Sequence, residues 1–160
     1  MATFEGGCEC GAVRYRMASD PIFVNCCHCR QCQKITGSAF AINAMIETDR
    51  LELLEGRESI IIERHVTRCG KCGSLLWAEH RLFGDKIKFL RVGTLDEAER
   101  ITPDAHFFIR SKHPWITVPS GTPAYDTLPT ESDRPLMSPE TSARLEAARA
   151  SQLAGKPVRR

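Results

Sequence analysis

The sequence lacks both a membrane-spanning segment and a surplus of one charge. No stretch approaches the roughly 18 consecutive apolar residues that a transmembrane helix needs. Lysine and arginine total 22 against 20 aspartate and glutamate residues, and the small excess lies in the last thirty residues. Nucleic-acid-binding proteins usually carry a basic stripe that displaces counterions from phosphates. The sequence therefore favours neither a membrane nor a nucleic acid as partner.

The first seven residues also lack the features of a secretory signal. They read MATFEGG, with no basic start and no apolar core. We therefore expect a cytoplasmic location, where thiols stay reduced and disulfides are rare. A disulfide framework built from the eight cysteines is the alternative to metal binding.

The length of 160 residues allows one domain with a core and a tail. We expect a domain over residues 1–128 and a linker with a tail over 129–160. Ser138 and Pro139 form a typical helix start, while Gly155 and Pro157 mark a stop. The sequence predicts a helix over 139–153, either docked on the domain or solvated.

The region before the tail has the pattern of a mainly β, antiparallel domain. The helix candidates are short, at 29–34 and 95–100. The run at 60–62 consists of three isoleucines and predicts a strand buried on both sides. We expect strands at 12–17, 22–26, 39–46, 50–54, 59–65, 75–80, 86–92 and 106–109.

The cysteines fall in clusters within the first half of the chain, which is the pattern that zinc requires. Thiolates of a tetrahedral site lie about 2.3 Å from the metal, so short spacings bring their sulfurs together. Cys69 and Cys72 flank a tight turn that is followed by glycine, and Cys8 and Cys10 suit as their partners in an extended segment. Four thiolates close the coordination shell, which predicts a structural zinc. A redox C-x-x-C at Cys69 and Cys72 is the alternative.

A second cluster contains Cys27, Cys29 and Cys32. Three protein ligands leave the fourth position to water or substrate, as in catalytic zinc sites. If His28 or Cys26 supplied a fourth ligand, this site would be structural instead. Thiolate-rich zinc suits the binding of another soft ligand, such as a substrate thiol.

Residues close to the second cluster are candidates for substrate binding. Arg30 and Lys34 could hold a substrate carboxylate or stabilise thiolate charge, and the alternative is a solvated helix position. The backbone amides of Gly37 and Ser38 could stabilise an oxyanion.

The remaining cysteine, the histidines and the aromatic residues allow only general expectations. We expect Cys26 to be buried, because free cysteine is often buried. His106 and His113 are expected at packed or edge positions, whereas His65 and His80 have no assignment. The aromatic residues are expected to fill the core or line a pocket: Trp77, Phe83, Phe107, Phe108 and Trp115.

The cysteine frame resembles that of a known family. The similarity lies in GGCECGAVRY at 6–15, CHCRQCQK at 27–34, GSAF at 37–40 and CGKCGS at 69–74. It continues through GTLD at 93–96 and HFFIRSKHPW at 106–115, and so covers about residues 4–128. The chain resembles the glutathione-dependent formaldehyde-activating enzymes, whose domain is shared with centromere protein V.

This resemblance implies a zinc-bound fold of the β-tent kind with two zinc ions per chain. The first zinc would be structural, on Cys8, Cys10, Cys69 and Cys72. Cys27, Cys29 and Cys32 match the second zinc of the family. In the founding enzyme that metal is tied to the condensation of formaldehyde with glutathione, which gives S-hydroxymethylglutathione.

We therefore expect a zinc-dependent carbon–sulfur lyase that activates a small thiol toward a carbonyl, with glutathione as a candidate co-substrate. Zinc-water hydrolysis of an imine or a thioester is a second enzymatic reading. A non-catalytic, zinc-stabilised binding module is the third. A solvent-open pocket beside the second zinc would favour an enzyme, whereas a closed metal with a large exposed apolar patch would favour the module. The sequence does not indicate an oligomeric state.

Overall fold

The computed structural model of the chain describes residues 2–130, 133 and 136–154. The described part is mainly β, with eleven strands and two α-helices. The helices are α1 (Arg30–Thr36) and α2 (Pro139–Ala154). The strands are β1 (Phe4–Gly7), β2 (Arg14–Met17), β3 (Phe23–Cys27), β4 (Ala41–Glu47), β5 (Leu51–Glu55), β6 (Ile60–Glu63), β7 (Val66–Cys69), β8 (Leu75–His80), β9 (Gly84–Arg91), β10 (Ala105–Phe107) and β11 (Ala124–Tyr125).

The strands form two sheets. The smaller sheet has the order β1-β2-β5, and the larger has the order β11-β10-β3-β4-β9-β8-β7-β6. Most neighbours are antiparallel, as the sequence predicts, but β10 runs parallel to both β3 and β11. The connection over residues 108–123 permits the parallel pairing of β10 with β11, because a parallel neighbour requires a crossover rather than a hairpin.

A first hydrophobic cluster joins the two sheets. Tyr15 of β2 is fully buried in it, and its hydroxyl lies 2.7 Å from the Thr94 hydroxyl. Gly6 permits this packing, since a Cβ at that position would lie 2.4 Å from the Thr94 carbonyl oxygen. From the larger sheet, Ala44 and Ile46 point into the same cluster.

The opposite face of the larger sheet carries a second cluster, which α2 partly covers. Met45 lies between Ala44 and Ile46 and faces this other side, as strand alternation requires. Leu145 and Ala148 of α2 pack against the cluster. The C-terminal helix that the sequence predicts is therefore docked.

An ion pair fixes α2 to the sheet. The Arg144 guanidinium donates to both carboxylate oxygens of Glu47, at 2.8 and 2.7 Å. It also donates to the Ser19 hydroxyl at 3.2 Å and to the Asp20 carbonyl at 3.1 Å. Both members of the ion pair are largely shielded, with side-chain exposures of 16% and 12%.

Several local predictions were wrong. The 60–62 run is not buried on both sides, because β6 is an edge strand in which Ile61 and Ile62 are 44% and 71% exposed. The strand expected at 106–109 ends at Phe107, since Phe108 adopts a left-handed conformation with φ of 59°. Trp115 is 72% exposed rather than packed.

Other boundaries differ from the predicted ones by a few residues, and three short strands, β1, β7 and β11, were not predicted. The helix expected at 95–100 is a single 3-10 turn, Ala98–Arg100. Neither of the described helices is long and apolar enough to cross a membrane.

Candidate metal centres and adjoining cavity

The structure brings Cys8, Cys10, Cys69 and Cys72 together, although 59 residues separate Cys10 from Cys69. Their sulfur atoms all lie within 4.8 Å of one another. The distance from Cys8 to Cys10 is 3.6 Å, and that from Cys10 to Cys69 is 3.9 Å. Tetrahedral zinc with bonds of about 2.3 Å would place its sulfurs about 3.8 Å apart. The donor set and its spacing therefore fit zinc.

Backbone geometry supports thiolates in this first group. The Val13 amide donates to the Cys8 sulfur at 3.2 Å, and the Lys71 amide donates to the Cys69 sulfur at 3.4 Å. Each of the two turns ends in a glycine with positive φ, 74° at Gly11 and 79° at Gly73. A side chain would strain the backbone at both positions, so the turns depend on glycine.

The second group contains Cys27, Cys29 and Cys32, whose sulfurs also lie within 4.8 Å of one another. Cys27 ends the buried strand β3, and Cys29 is the N-cap of α1. The Cys32 amide donates to the Cys29 sulfur at 3.4 Å, because the first turn of the helix directs this amide toward the capping residue. The end of β3 and the start of α1 thus bring the three thiols close together. This set of donors fits zinc with three protein ligands.

The neighbours of Cys32 favour its thiolate. Its pKa is lowered to about 6, first by the hydrogen bond with Cys27 and further by Cys29 and the Arg91 guanidinium. The pKa of Cys27 is raised by its interaction with Cys32 and by burial. One sulfur of the group is therefore set to carry negative charge even before a metal binds.

The substrate residues suggested by the sequence do not line the space beside this group. Arg30, Lys34, Gly37 and Ser38 are exposed, and none of them contributes to the wall of the adjoining cavity. The Arg30 guanidinium instead donates to the Gln33 side chain. Gly37 ends α1 with φ of 62°, so its conformation serves the helix terminus.

A cavity of about 770 Å³ opens directly beside the second group. All three cysteines line it, and its floor is the face of the larger sheet that also carries the second hydrophobic cluster. Its volume lies within the range of about 300–1,000 Å³ typical of small-molecule sites. His65 and His80, which had no assignment from the sequence, belong to its wall, as do Phe83, Phe107 and Phe108.

A polar row crosses the cavity floor next to the cysteines. Asn25, Asn43 and Arg91 are paired across β3, β4 and β9. The Asn43 amide nitrogen donates to the Asn25 amide oxygen at 3.1 Å, and Arg91 donates to the Asn43 oxygen. Arg91 is 9% exposed, and its Nε has no hydrogen-bond partner among the described residues.

These three residues were not singled out from the sequence. A signal was present for Asn25 and Asn43, because each interrupts an apolar strand. A polar residue within a buried strand requires a partner or a function. Arg91 gave no such signal, because it ends a strand that already contains Asp85, Lys86 and Lys88. The register that aligns the three residues could not be read from a single sequence.

A third group of possible ligands lies behind the second. Cys26, His28 and His106 are buried, and their donor atoms lie within 4.8 Å of one another. His28 Nε2 and His106 Nδ1 are 2.9 Å apart, which is a hydrogen-bond distance. Burial and the neighbouring His106 lower the pKa of His28 to about 4, so both rings are neutral. The expected burial of Cys26 and packing of His106 are confirmed, whereas His113 stacks on the exposed Trp115.

A known protein family matches more than half of the chain. The family described as glutathione-dependent formaldehyde-activating enzyme matches residues 3–111. The chain belongs to this family. All seven cysteines of the first two groups lie within the matched region.

Two individual proteins are also similar to this family member. One is a Halomonas elongata protein named "Putative glutathione-dependent formaldehyde-activating enzyme", which is 29% identical over 130 residues, covering 72% of this chain and 81% of that protein. The other is a structural genomics target from Rhodobacter sphaeroides with a known crystal structure. It shares 20% identity and a TM-score of 0.48 over 62% of this chain and 91% of that chain.

Proposed function

We propose that this protein is a zinc-dependent carbon–sulfur lyase that catalyses the reversible addition of a small thiol to a carbonyl. Glutathione and formaldehyde, which would give S-hydroxymethylglutathione, are the reactants that the family name suggests. The observation that carries the proposal is the cavity into which Cys27, Cys29 and Cys32 open, with a buried arginine beside them.

The two cysteine groups would hold two zinc ions with different roles. Cys8, Cys10, Cys69 and Cys72 would complete a closed shell that clamps the N-terminal segment to the β7–β8 turn. Cys27, Cys29 and Cys32 would leave one coordination position facing the cavity. Zinc bound there would supply a Lewis acid that lowers the pKa of a thiol and keeps it nucleophilic.

Residues of the cavity floor would stabilise the negative charge that develops on the carbonyl oxygen. In the addition, a carbon–sulfur bond forms, the carbonyl π bond breaks and the oxygen becomes an alkoxide, which then receives the proton from the thiol. The Arg91 side chain lines the cavity and lies next to Cys32. A buried guanidinium stabilises such an oxyanion strongly, because little water competes with it.

Asn43 and Asn25 would hold Arg91 in place. The hydrogen bond from Arg91 to Asn43 restrains the guanidinium. The hydrogen bond that the Asn43 amide nitrogen donates to Asn25 orients the Asn43 amide so that its oxygen faces Arg91. A pre-positioned donor costs no reorganisation when the oxyanion forms. We therefore assign Arg91 as the catalytic donor and the two asparagines as positioning residues.

The cavity also bears on the other two functions. A binding module would be expected to bury its metal and to expose a large apolar patch. The second group instead borders an open cavity, which favours an enzyme. Zinc-water hydrolysis could use the same cavity, but three thiolates donate charge and make a bound water less acidic than three histidines would.

Exchange NMR tests the proposal directly. The zinc-loaded protein is added to glutathione and formaldehyde at equilibrium, and the exchange rate between free thiol and adduct is measured. We expect exchange well above the uncatalysed rate in the wild type and close to the uncatalysed rate in Cys29→Ser. Uncatalysed exchange with the fully zinc-loaded wild type would refute the proposed activity.

A further inference from the structure

The floor of the cavity is ordered along the strands into three rows. The row nearest the metal-binding group contains Cys27, paired with Phe107 of β10. Two residues away along β3 is the polar row of Asn25, Asn43 and Arg91. Two residues further is a row formed by Phe23, Met45 and Phe89. Each step corresponds to about 7 Å along the strand, so the Cα atoms of Phe23 and Cys27 are about 13 Å apart.

The apolar row offers more contact surface than formaldehyde could use. Phe23 stacks on Phe107 with ring centroids 5.8 Å apart, and Phe89 contacts Phe83 at 5.9 Å. Formaldehyde has a single carbon and would fit in the space beside the polar row. The aromatic surface beyond that row therefore has no use in the reaction of formaldehyde itself.

The C-terminal segment provides the opposite wall. Leu136, Met137 and Leu145 line the cavity and pack on the second hydrophobic cluster. The ion pair between Arg144 and Glu47 fixes α2 one residue from Leu145. The part of the cavity beyond the polar row is therefore lined by apolar residues of both the sheet and the C-terminal segment.

Charged residues also line the cavity. Arg81 and Arg149 line it but are exposed, and Glu79 is paired with Lys88. Glutathione carries two carboxylates and an ammonium group, which are costly to bury without partners. Its polar body is therefore better placed at the rim, with only its thiol reaching the cysteine row.

We propose, resting on the function proposed above, that the carbonyl substrate is an aldehyde with an aromatic body. Its carbonyl oxygen contacts Arg91, and its ring lies in the part of the cavity lined by Phe89 and Leu145, which both remain partly exposed. The thiol adds to the aldehyde carbon to give a thiohemiacetal, with the thiol proton ending on the former carbonyl oxygen. Leu145 is a specificity-determining residue, since it narrows the space for the ring.

The test compares phenylacetaldehyde with formaldehyde as partners of glutathione, using exchange NMR and the zinc-loaded protein. We expect a higher kcat/KM for phenylacetaldehyde. In Leu145→Trp, kcat/KM for phenylacetaldehyde should fall at least about tenfold, because the added ring fills the space of the substrate ring, while that for formaldehyde changes less than about twofold. Ala147→Trp is the matched control, since Ala147 is an exposed residue of the same helix.

A binding measurement without turnover gives a second readout. The probe is 2-(4-fluorophenyl)ethanol, whose fluorine signal should broaden with wild type and Ala147→Trp but not with Leu145→Trp. If formaldehyde exchange is catalysed while phenylacetaldehyde gives no advantage and the probe does not bind, this inference is overturned and the proposed function stands. If exchange with both aldehydes is uncatalysed, the proposed function itself fails.

Discussion

Replacing Arg144 should detach the C-terminal helix from the sheet. In Arg144→Ala, both charge-assisted hydrogen bonds to Glu47 are lost, together with the contacts to Ser19 and Asp20. Hydrogen bonds to charged groups contribute about 1.5–3 kcal/mol net. The largely shielded Glu47 carboxylate would keep only the longer ion pair with Arg50, whose Nε lies 3.6 Å from Glu47 Oε1. We expect the free energy of unfolding to fall by about 2 kcal/mol, which lowers Tm by about 4–8 °C for a protein of this size.

Urea unfolding followed by circular dichroism measures this loss. Glu146→Ala is the matched control, because Glu146 is an exposed acidic residue on the same helix and its removal should change stability by less than about 0.5 kcal/mol. A double-mutant cycle with Glu47→Ala should give a coupling energy of about 1–3 kcal/mol. A loss below about 0.5 kcal/mol for Arg144→Ala would show that the ion pair does not hold the helix, and the enclosed cavity wall would then lack its support.

The same ion pair predicts a pH dependence with a definite sign. Burial raises the pKa of Glu47, but the hydrogen bond from Arg144, a backbone hydrogen bond and the charges of Arg144 and Arg50 together outweigh burial and lower it. The stabilisation is therefore fully present above the unfolded pKa of about 4.3 and is lost as the pH falls through the lower folded pKa. The stability difference between wild type and Arg144→Ala should shrink below about pH 4. Metal release in acid is common to both proteins and cancels in the difference.

Three further predictions concern the metals, the oxyanion donor and the core. Metal analysis of protein purified without chelator should give two zinc ions per chain. Cys29→Ser should lose one zinc ion and keep the fold, whereas Cys72→Ala should unfold. A single tightly held metal in the wild type would contradict the two-site arrangement. Arg91→Met should lower kcat for adduct exchange by about 100-fold, with partial recovery in Arg91→Lys. Tm should also fall in Arg91→Met because the buried Asn43 oxygen loses its donor, and an unchanged kcat would remove Arg91 from the reaction. Tyr15→Phe should cost about 1 kcal/mol in urea unfolding because the hydroxyl bond to Thr94 is lost, and a loss near zero would show that this buried bond contributes nothing.

Most of the mainly β architecture could be predicted because strand alternation and turn residues act locally. The 75–80 strand was predicted with the observed bounds, and the C-terminal helix was predicted from the cap at Ser138 and Pro139. The 60–62 run shows the limit of this reasoning. Three consecutive isoleucines indicate a buried strand, yet whether a strand lies at a sheet edge depends on the order of the strands, which is a long-range property.

The two groups of clustered cysteines were visible in the sequence because their spacing is short. The C-x-C and C-x2-C pairs already place two sulfurs in one turn, so only the pairing of the two halves required the fold. The residues that line the cavity were harder to predict. Arg30 and Lys34 are near the cysteines in sequence but project from the exposed side of α1, whereas Arg91 comes from β9 and reaches the cavity through strand pairing.

The central claim is that a small thiol binds at the group formed by Cys27, Cys29 and Cys32. Cobalt substitution tests it most directly, because the sulfur-to-cobalt absorption bands change when a further sulfur joins the metal. Titration of the cobalt-loaded wild type with glutathione should change these bands in a saturable way, and Cys32→Ser should abolish the change while the bands of the four-cysteine group persist. If neither glutathione nor cysteine alters the spectrum of the fully loaded wild type, thiol activation at this group is contradicted.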